Sequence, residues 1–427
     1  MSIEELYKVY LQYPSVQTDT RKLKKGDMFF ALKGPNFNGN KFARQAIEAG
    51  AACAVIDEKE YDIPHKTLLV NDVLTALQQL ALYHRRQFQI PFIAITGSNG
   101  KTTTKELIHA VLSSAYKVYT TEGNLNNHIG VPLTILKIKN DAQVVVIEMG
   151  ANHPHEIEEY CKIAEPTHGL ITNCGKAHLE GFGSLEGVRK AKGELFDHLR
   201  AIQGIAYVMW DYDYLRDMSK GIADVITYGT HNATVVGNAL PSATFLNVKI
   251  EPGVAIQTRL VGDYNLPNVL AAVAVGRNMM ISLEKIKQAI ENYEPSNSRS
   301  QLIEKDSNKF ILDAYNANPS SMKAAIENFA GMDAENKVLM LGAMAEMGTE
   351  SEQEHQTLIN SIKQKKWACV ILVGKHFEPY KNEFHYFENA TQAAEWFAQQ
   401  AFSNSYFLVK GSRSSQMEKI LEASNII

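Results

Sequence analysis

Hydrophobic and polar positions follow several different periods along the chain of 427 residues, and residues 1–88 form the first unit of this pattern. Apolar runs of strand length alternate there with helical stretches near residues 41–49 and 72–87. The predicted strands are Met28–Leu32, Cys53–Ile56 and Thr67–Val70. Turn-forming sequences such as Asn38-Gly39-Asn40 separate these elements, so the pattern predicts a small mixed α/β domain.

A longer unit, residues 89–295, combines apolar strand-like runs with amphipathic helices. The predicted strands are Phe92–Ile95, Val144–Ile147, Gly169–Thr172 and Ile205–Met209. Polar–apolar alternation over residues 243–260 predicts an antiparallel hairpin added to the same sheet, and Leu266–Met279 predicts a helix rich in Ala and Val. We therefore expect a central domain with a mostly parallel sheet.

Residues 291–300 are polar and lack periodicity, and we interpret them as a hinge before the last unit. Strands and helices then alternate in the order typical of a doubly wound sheet. The predicted strands are Phe310–Asp313, Val338–Leu341, Val370–Val373 and Tyr406–Val409, with helices near 320–330, 351–365, 391–401 and 414–423. The sequence thus predicts a C-terminal Rossmann-like α/β domain over residues 296–427.

Composition narrows the class of protein. Apolar residues make up 45% and charged residues 21% of the chain, as in globular proteins with a sizeable core. A net charge of −4 argues against non-specific nucleic-acid binding, and the longest apolar runs are far short of a membrane span. The N-terminus has no apolar core of a signal peptide, and the four cysteines lie far apart. These features favour a cytoplasmic protein with reduced thiols.

A glycine-rich turn lies between the predicted strand Phe92–Ile95 and a predicted amphipathic helix. It comprises Gly97, Ser98, Asn99, Gly100, Lys101, Thr102 and Thr103. Glycines let backbone N–H groups face an anion, the helix N-terminus adds its positive end, and Lys101 adds a point charge. Thr102 would place a hydroxyl on a nucleotide-bound Mg²⁺. We predict a phosphate loop, shortened because two residues rather than the common four separate its glycines.

Two polar residues follow the ends of predicted strands, at the edge where open α/β sheets bind their ligands. Glu148 ends the strand beginning at Val144, so its carboxylate could hold Mg²⁺ near the phosphates, or could simply be a solvated acid. His178 follows the next strand by a short loop, where a histidine is either an ordinary surface group or a ligand.

The shortened loop resembles that of the Mur ligases and folylpolyglutamate synthetases, and further motifs along the whole chain resemble the Mur ligases. The matching segments are Asp19–Arg21, Phe29–Gly34, Gly123–Asn127, Glu148–His153, Ala177–Ser184, Lys192–Phe196, Asn265–Asn268, Asp313–Pro319 and Lys410–Arg413. This resemblance implies a ligase that uses ATP to activate a carboxylate as an acyl phosphate, which an amine then attacks. The Tyr315–Pro319 run is the most specific, and it resembles the members that add D-alanyl-D-alanine to a UDP-N-acetylmuramoyl-tripeptide.

The resemblance also implies roles for individual residues. For ATP these are the loop from Gly97 to Thr103 with Asn268, Arg299 and Asp313; for two Mg²⁺ ions they are Thr102, Glu148 and His178; and for catalysis they are Lys101, Lys192 and His178. The resemblance implies a lysine carbamylated by CO₂, and the Lys-Gly-Glu-Leu-Phe register selects Lys192 rather than Lys190 for this modification. Substrate contacts are expected from Thr20, Arg21, Lys33, Gly34, Asn126, Asn127, Tyr315, Asn316, Asn318, Lys410 and Arg413.

By the same resemblance, residues 1–88 would bind the nucleotide sugar, 89–295 would bind ATP, and 296–427 would bind the dipeptide and part of ATP, in a monomer. The chain departs from the family pattern at Asn38–Asn40, Ala343 and Ser298, which weakens any catalytic role for position 343. Two alternatives stay open at this point. One is a sister Mur ligase or a folylpolyglutamate-type ligase with a different amine substrate, and the other is a nucleotide-binding switch that hydrolyses ATP without ligation.

Overall fold

The computed structural model describes residues 1–242, 244–296 and 298–427, and within these ranges the chain forms three α/β domains. In the first domain, a parallel sheet has the strand order β1-β2-β5-β6, and a short β3–β4 hairpin stands beside it. Its elements are α1 (Ile3–Gln12), β1 (Val16–Gln17), β2 (Met28–Phe30), β3 (Lys33–Gly34), β4 (Phe37–Asn38), α2 (Ala43–Glu48), β5 (Cys53–Ile56), β6 (Thr67–Leu69) and α3 (Val73–Arg85).

The central domain is built on a sheet of order β15-β14-β13-β12-β11-β10-β7-β9-β8. Its strands are β7 (Phe92–Thr96), β8 (Val118–Thr120), β9 (Val144–Glu148), β10 (His168–Ile171), β11 (Ile205–Met209), β12 (Asp224–Gly229), β13 (Val235–Leu240), β14 (Phe245–Ile250) and β15 (Val254–Val261). Its helices are α4 (Lys101–Ser113), α5 (Gly130–Ile135), α6 (Glu156–Ala164), α7 (Leu179–Phe182), α8 (Leu185–Ile202), α9 (Asp213–Ser219), α10 (Leu266–Asn278) and α11 (Leu283–Glu291).

The strands from β8 to β13 run parallel, whereas β14 and β15 add an antiparallel hairpin. Strand order reverses beside β7, since β9 lies on one side of it and β10 on the other. In open α/β sheets this switch point is where ligands bind, beyond the carboxyl ends of the strands. The turn after β7 is the predicted phosphate loop.

The C-terminal domain has the strand order β16-β17-β21-β18-β19-β20, parallel except for β16 against β17. Its elements are β16 (Gln301–Lys305), β17 (Asn308–Asp313), α12 (Pro319–Gly331), β18 (Asn336–Gly342), α13 (Ser351–Lys363), β19 (Cys369–Val373), β20 (His385–Phe387), α14 (Ala390–Phe397), β21 (Ser405–Lys410) and α15 (Glu418–Ala423). Asn318 begins α12 as a side-chain cap, with Pro319 at the first helical position.

The predicted strands and the three-domain α/β fold are confirmed, with some boundaries corrected. The last helix, predicted from about residue 414, begins only at Glu418, because a short 3₁₀ turn and the left-handed backbone of Gln416 precede it. The helix predicted to reach 401 ends at Phe397. Residue 243 of the predicted hairpin and residue 297 of the predicted hinge lie outside the described residues.

The first domain packs against the central one through α3, whose apolar side chains share a core with α5 and α6. The buried hydroxyl of Tyr10 donates a hydrogen bond to the backbone carbonyl of Leu136 across this boundary, at 2.6 Å. The described cysteines form no disulfide, as the sequence predicts. Across the described ranges, no helix combines the length and the apolar character that crossing a membrane requires.

Candidate active site

A cleft of about 860 Å³ lies between the central and C-terminal domains, at the switch point of the central sheet. Most of the residues expected from the sequence line it. They are Ser98, Asn99, Gly100, Lys101, Thr102, Thr103, Asn126, Asn127, Glu148, His178, Asn268, Arg299, Asp313, Tyr315, Asn316, Asn318 and Lys410. Side chains from distant parts of the sequence, from Ser98 to Lys410, therefore converge on one cavity.

The phosphate loop has the backbone that its glycines allow. Gly97 and Gly100 have φ angles of +140° and +80°, which L side chains rarely adopt. A Cβ atom on Gly100 would lie 2.7 Å from the side-chain oxygen of Asn268, so the glycine also permits close packing against α10. The Lys101 ammonium donates to the backbone carbonyls of Gly97 and Ser98, at 2.6 and 3.2 Å, and so lies folded over the loop.

Thr102 and Glu148 are brought together as a metal site would require. The Thr102 hydroxyl donates to the Glu148 carboxylate at 2.9 Å, and the Asn126 amide donates to the other carboxylate oxygen at 2.8 Å. Thr121 accepts a hydrogen bond from the Glu148 backbone N–H. Glu148 is only 1% exposed, which rules out the solvated acid considered above. No group of three or more His, Cys, Asp or Glu with metal-site geometry occurs among the described residues.

This donor set fits Mg²⁺, which binds proteins through one or two carboxylates and completes its shell with phosphate oxygens and water. A hydroxyl and a carboxylate beside a phosphate loop are hard oxygen ligands of that kind. A site rich in histidine or cysteine would instead favour zinc.

Lys192 is buried rather than solvated, and it lies just behind the cleft wall on α8. It is 1% exposed, and its ammonium donates to the carbonyl of Ala151, a residue that lines the cleft. Burial, assisted by the nearby charge of Lys101, lowers the pKa of Lys192 to about 7. Its sequence neighbour Lys190 is exposed. The structure therefore distinguishes the two lysines in the same way as the sequence motif, which selects Lys192.

His178 stands at the start of α7, and its ring nitrogen Nδ1 contacts the carboxylate of Glu346 from the C-terminal domain. That hydrogen bond is the largest cause of a lowered pKa for Glu346. Sequence reasoning did not select Glu346 as a site residue, because it lies 168 positions from His178. The two become neighbours only when the domains are packed together.

Asn265, before α10, and Asn268, within it, hydrogen-bond to each other, and Asn268 also hydrogen-bonds to the helix that follows the phosphate loop. Asn268 donates to the side-chain oxygen of Asn265 at 2.9 Å and accepts from the Thr104 hydroxyl at 3.0 Å. These bonds are compatible with helix packing as well as with a base-binding wall, since both residues are buried and Asn268 lines the cleft.

The C-terminal domain contributes two cations to its side of the cleft. Lys410 is 2% exposed and donates to the Asp313 carboxylate at 2.6 Å. The Arg299 guanidinium lies 3.8 Å from the ring centre of Tyr315. Asn318 reaches across the boundary and donates to the side-chain oxygen of Asn99 in the phosphate loop, at 2.7 Å.

Some expected residues lie away from this cleft. Thr20, Arg21, Lys33 and Gly34 belong to the first domain, where Arg21 pairs with Asp19 and Lys33 pairs with Asp57. Arg413 points toward Glu418 and is largely exposed. Asn127, in contrast, does line the cleft, and its side-chain oxygen accepts hydrogen bonds from the backbone N–H groups of Ile129 and Gly130. The departures Asn38 and Asn40 hydrogen-bond to each other and to Glu58 and Asp57, and so replace the family's residues with a closed polar network.

Other lining residues carried no signal in the sequence. Tyr212 and Tyr214 stack with ring centres 5.6 Å apart and both line the cleft. Lys176, which follows the lining residue Gly175 but does not itself line the cleft, forms a 2.5 Å ion pair with Glu354 from the C-terminal domain. Alternate tyrosines and a lone loop lysine are common on surfaces, so only the fold reveals that these residues meet.

A shortened phosphate loop at a sheet switch point, facing a second domain that supplies cations, defines a nucleotide-dependent α/β enzyme. Family models match the chain over three stretches: the Mur ligase family catalytic domain over residues 12–85, the Mur ligase middle domain over 95–276, and the Mur ligase glutamate ligase domain over 298–413. The chain belongs to the Mur ligase family, and it is an ATP-dependent peptide ligase.

Individual relatives agree with this assignment. The UDP-N-acetylmuramoyl-tripeptide–D-alanyl-D-alanine ligase of Bacillus subtilis is 35% identical, over 95% of this chain and 92% of the relative. The ligase of the same name from Escherichia coli is 36% identical, over 98% and 95%. Among solved structures, MurF from Acinetobacter baumannii has a TM-score of 0.85 at 32% identity, covering 96% of this chain and 93% of that one. MurF ligase from Thermotoga maritima in complex with ADP has a TM-score of 0.85 at 25% identity, covering 97% of each chain.

Proposed function

We propose that the protein joins D-alanyl-D-alanine to UDP-N-acetylmuramoyl-tripeptide at the expense of ATP, in the synthesis of peptidoglycan precursors. Near-full-length relatives that carry this activity in their names support the proposal. The observation that carries it is the cleft itself, where the phosphate loop faces the Asp313–Lys410 pair and Tyr315 from the opposite domain. A site divided in this way suits a reaction that brings a phosphate donor and an amine to the same carboxylate.

In this proposal, Thr102 and Glu148 hold one Mg²⁺ ion, and His178 with a modified Lys192 holds a second. Bound there, the ions would neutralise the charge that develops on the transferred phosphoryl group. Lys101 and Arg299 bring further positive charge to the phosphates, one from each domain. Burial lowers the pKa of Lys101, and the charge of Glu148 opposes this effect. A phosphate anion bound beside Lys101 would further stabilise its charged form.

Lys192 is proposed to carry a carbamate. A neutral amine attacks CO₂ through its lone pair, a new N–C bond forms, and one proton is released. The pKa of about 7 leaves a large neutral fraction at physiological pH. The product is an anion in place of a cation, which removes the repulsion that a buried lysine would exert on Mg²⁺.

The tripeptide carboxylate would attack the γ-phosphate of ATP, release ADP and form an acyl phosphate. The amine of the dipeptide would then displace phosphate through a tetrahedral intermediate and lose a proton. Tyr315, Asn316, Lys410 and Arg413 are proposed on the dipeptide side, and Asn318 is proposed to bridge to the phosphate loop. The first domain, through Thr20, Arg21, Lys33 and Gly34, is proposed to hold the nucleotide sugar, with Asn126 and Asn127 along the peptide path. The proposed species is a monomer of the cytoplasm, the compartment that supplies ATP.

The test is phosphate release with purified protein, ATP and Mg²⁺. Release should require both UDP-N-acetylmuramoyl-tripeptide and D-alanyl-D-alanine, and mass spectrometry should find the pentapeptide product. A panel of single amino acids, including glutamate, in place of the dipeptide distinguishes a sister ligase. Phosphate release with ATP alone, without any ligated product, would refute the proposal and favour a nucleotide-hydrolysing switch.

A further inference from the structure

The contact between His178 and Glu346 crosses the boundary between the central and C-terminal domains. His178 lines the cleft, whereas Glu346, which contacts the Nδ1 atom of its ring, is not among the lining residues. The His178 side chain is 20% exposed and that of Glu346 is 52% exposed. A polar contact so accessible to water stabilises a fold little. The more important effect of this contact is therefore on the position of the proton on the histidine ring.

The chemistry of the two groups fixes where the imidazole proton lies. An ionised carboxylate only accepts hydrogen bonds, so the Nδ1 atom that faces Glu346 must carry the proton. The neutral ring then has its lone pair on Nε2. No hydrogen-bond partner of Nε2 occurs among the residues that the structure describes. The lone pair is free for a metal ion or a proton in the cleft.

The local backbone indicates that this pairing is built into the fold. His178 and Glu346 both have positive φ angles, +51° and +58°, which cost energy for residues with a side chain. The backbone N–H of Glu180 donates to the carbonyl of Glu346 at 3.4 Å, in a second link between the two loops. Gly348 packs against Glu180, where a Cβ atom would lie 3.4 Å from its Cα. Such strain persists only where the surroundings hold both residues in place.

We infer that Glu346 is a positioning residue that holds His178 in the Nδ1-protonated tautomer and so leaves Nε2 available to the reacting groups. This inference rests on the proposed function, which assigns His178 a role in the cleft, and it adds a residue that positions His178. Carboxylates commonly orient metal-binding histidines in this way, and losing one typically costs about 10–100-fold in affinity or activity. Here the carboxylate comes from the opposite domain, so the tautomer depends on domain packing.

The tautomer is measured directly by nitrogen NMR of the full chain labelled with ¹⁵N in its histidine rings. His178→Gln identifies the His178 signals. In wild type, Nδ1 should show the shift of a protonated nitrogen and Nε2 that of an unprotonated one. In Glu346→Ala the two signals should move toward each other as the tautomers mix. Glu346→Gln should resemble wild type, because its amide oxygen still accepts a hydrogen bond from the Nδ1–H group.

Kinetics supply the second readout. Glu346→Ala should lower kcat about tenfold or more, whereas Glu346→Gln should recover most of it. Glu352→Ala, an exposed acid on α13 nearby, is the matched control and should behave as wild type. Equal losses in the Ala and Gln variants, or unchanged His178 signals in Glu346→Ala, would overturn the inference. Because the spectra are recorded without substrate, they decide the tautomer even if the ligase reaction itself is not found.

Discussion

Replacing Lys176 with methionine should favour an open arrangement of the central and C-terminal domains. Lys176 follows β10 in the central domain, and Glu354 lies on α13 in the C-terminal one. Their ion pair is 2.5 Å long, and its two side chains differ in environment, with Lys176 46% exposed and Glu354 9% exposed. The hydrogen bonds of the described residues offer no other donor to the Glu354 carboxylate. Removing the lysine therefore leaves the nearly buried Glu354 carboxylate without a hydrogen-bond donor in the described part of the chain.

The magnitude follows from this asymmetry. A buried acceptor that loses its partner costs about 2 kcal/mol, more if it is charged. Opening the domains lets water reach Glu354, so only the closed arrangement is destabilised. The equilibrium between the closed and open arrangements should therefore shift about 30-fold toward the open one. The reverse change, Glu354→Gln, leaves a half-exposed ammonium that water already solvates. It should cost less than about 1 kcal/mol, or about fivefold.

Small-angle scattering and kinetics measure the shift. With an ATP analogue and tripeptide bound, wild type should become more compact, and Lys176→Met should do so only at higher ligand concentrations. Its KM for the dipeptide should rise more than tenfold, and adding Glu354→Gln should restore most of the loss. Lys190→Met, at an exposed lysine of α8, is the control. Equal effects of the two single changes, or no change in scattering, would refute the reasoning.

Three further outcomes are expected. Gly100→Ala should abolish nucleotide binding in calorimetry with ADP, because its φ of +80° and its 2.7 Å approach to Asn268 exclude a side chain; retained affinity would contradict the assigned loop geometry. Lys192→Ala should lose activity and regain part of it with added short-chain carboxylic acids; full activity without rescue would exclude the carbamate. Carbamylation, followed by NMR with ¹³C-labelled bicarbonate, should increase as pH rises through about 7, since the reactive amine is neutral above the lowered pKa of Lys192. A carbamate signal that declines over that range would contradict the assignment.

The phosphate loop could be predicted from sequence because its determinants are local. Strand, glycines, lysine and helix occupy adjacent positions from Phe92 to Ser113, and each element specifies its neighbour. Glu148 could be placed for a similar reason, since carboxyl ends of parallel strands share one edge of the sheet. Lys192 required the family motif, because a lysine on a helix gives no sign of its burial until α8 is packed.

Three of the residues that the sequence did not reveal, Lys176, Glu346 and Glu354, make contacts across a domain boundary. Glu346 and Glu354 are ordinary acids in their local context, and nothing within their own domain assigns them a partner. Strands β8, β12 and β13 were missed for a related reason, because their residues are partly exposed and lack a continuous apolar run. In both cases, tertiary contacts rather than the local sequence pattern determine the structure or the partner of the residue.

The loop between β10 and α7 explains how nucleotide binding and domain packing influence each other. On one side it holds the phosphate loop, since the Asn173 side chain accepts the backbone N–H of Asn99 and the Ser98 hydroxyl donates to the carbonyl of Gly175. On the other side, Lys176 and His178 of the same loop pair with Glu354 and Glu346 of the C-terminal domain. These contacts leave the segment little freedom to move independently. A nucleotide that shifts the phosphate loop must therefore shift the groups that hold the domains together, and packing of the domains must in turn constrain the phosphate loop.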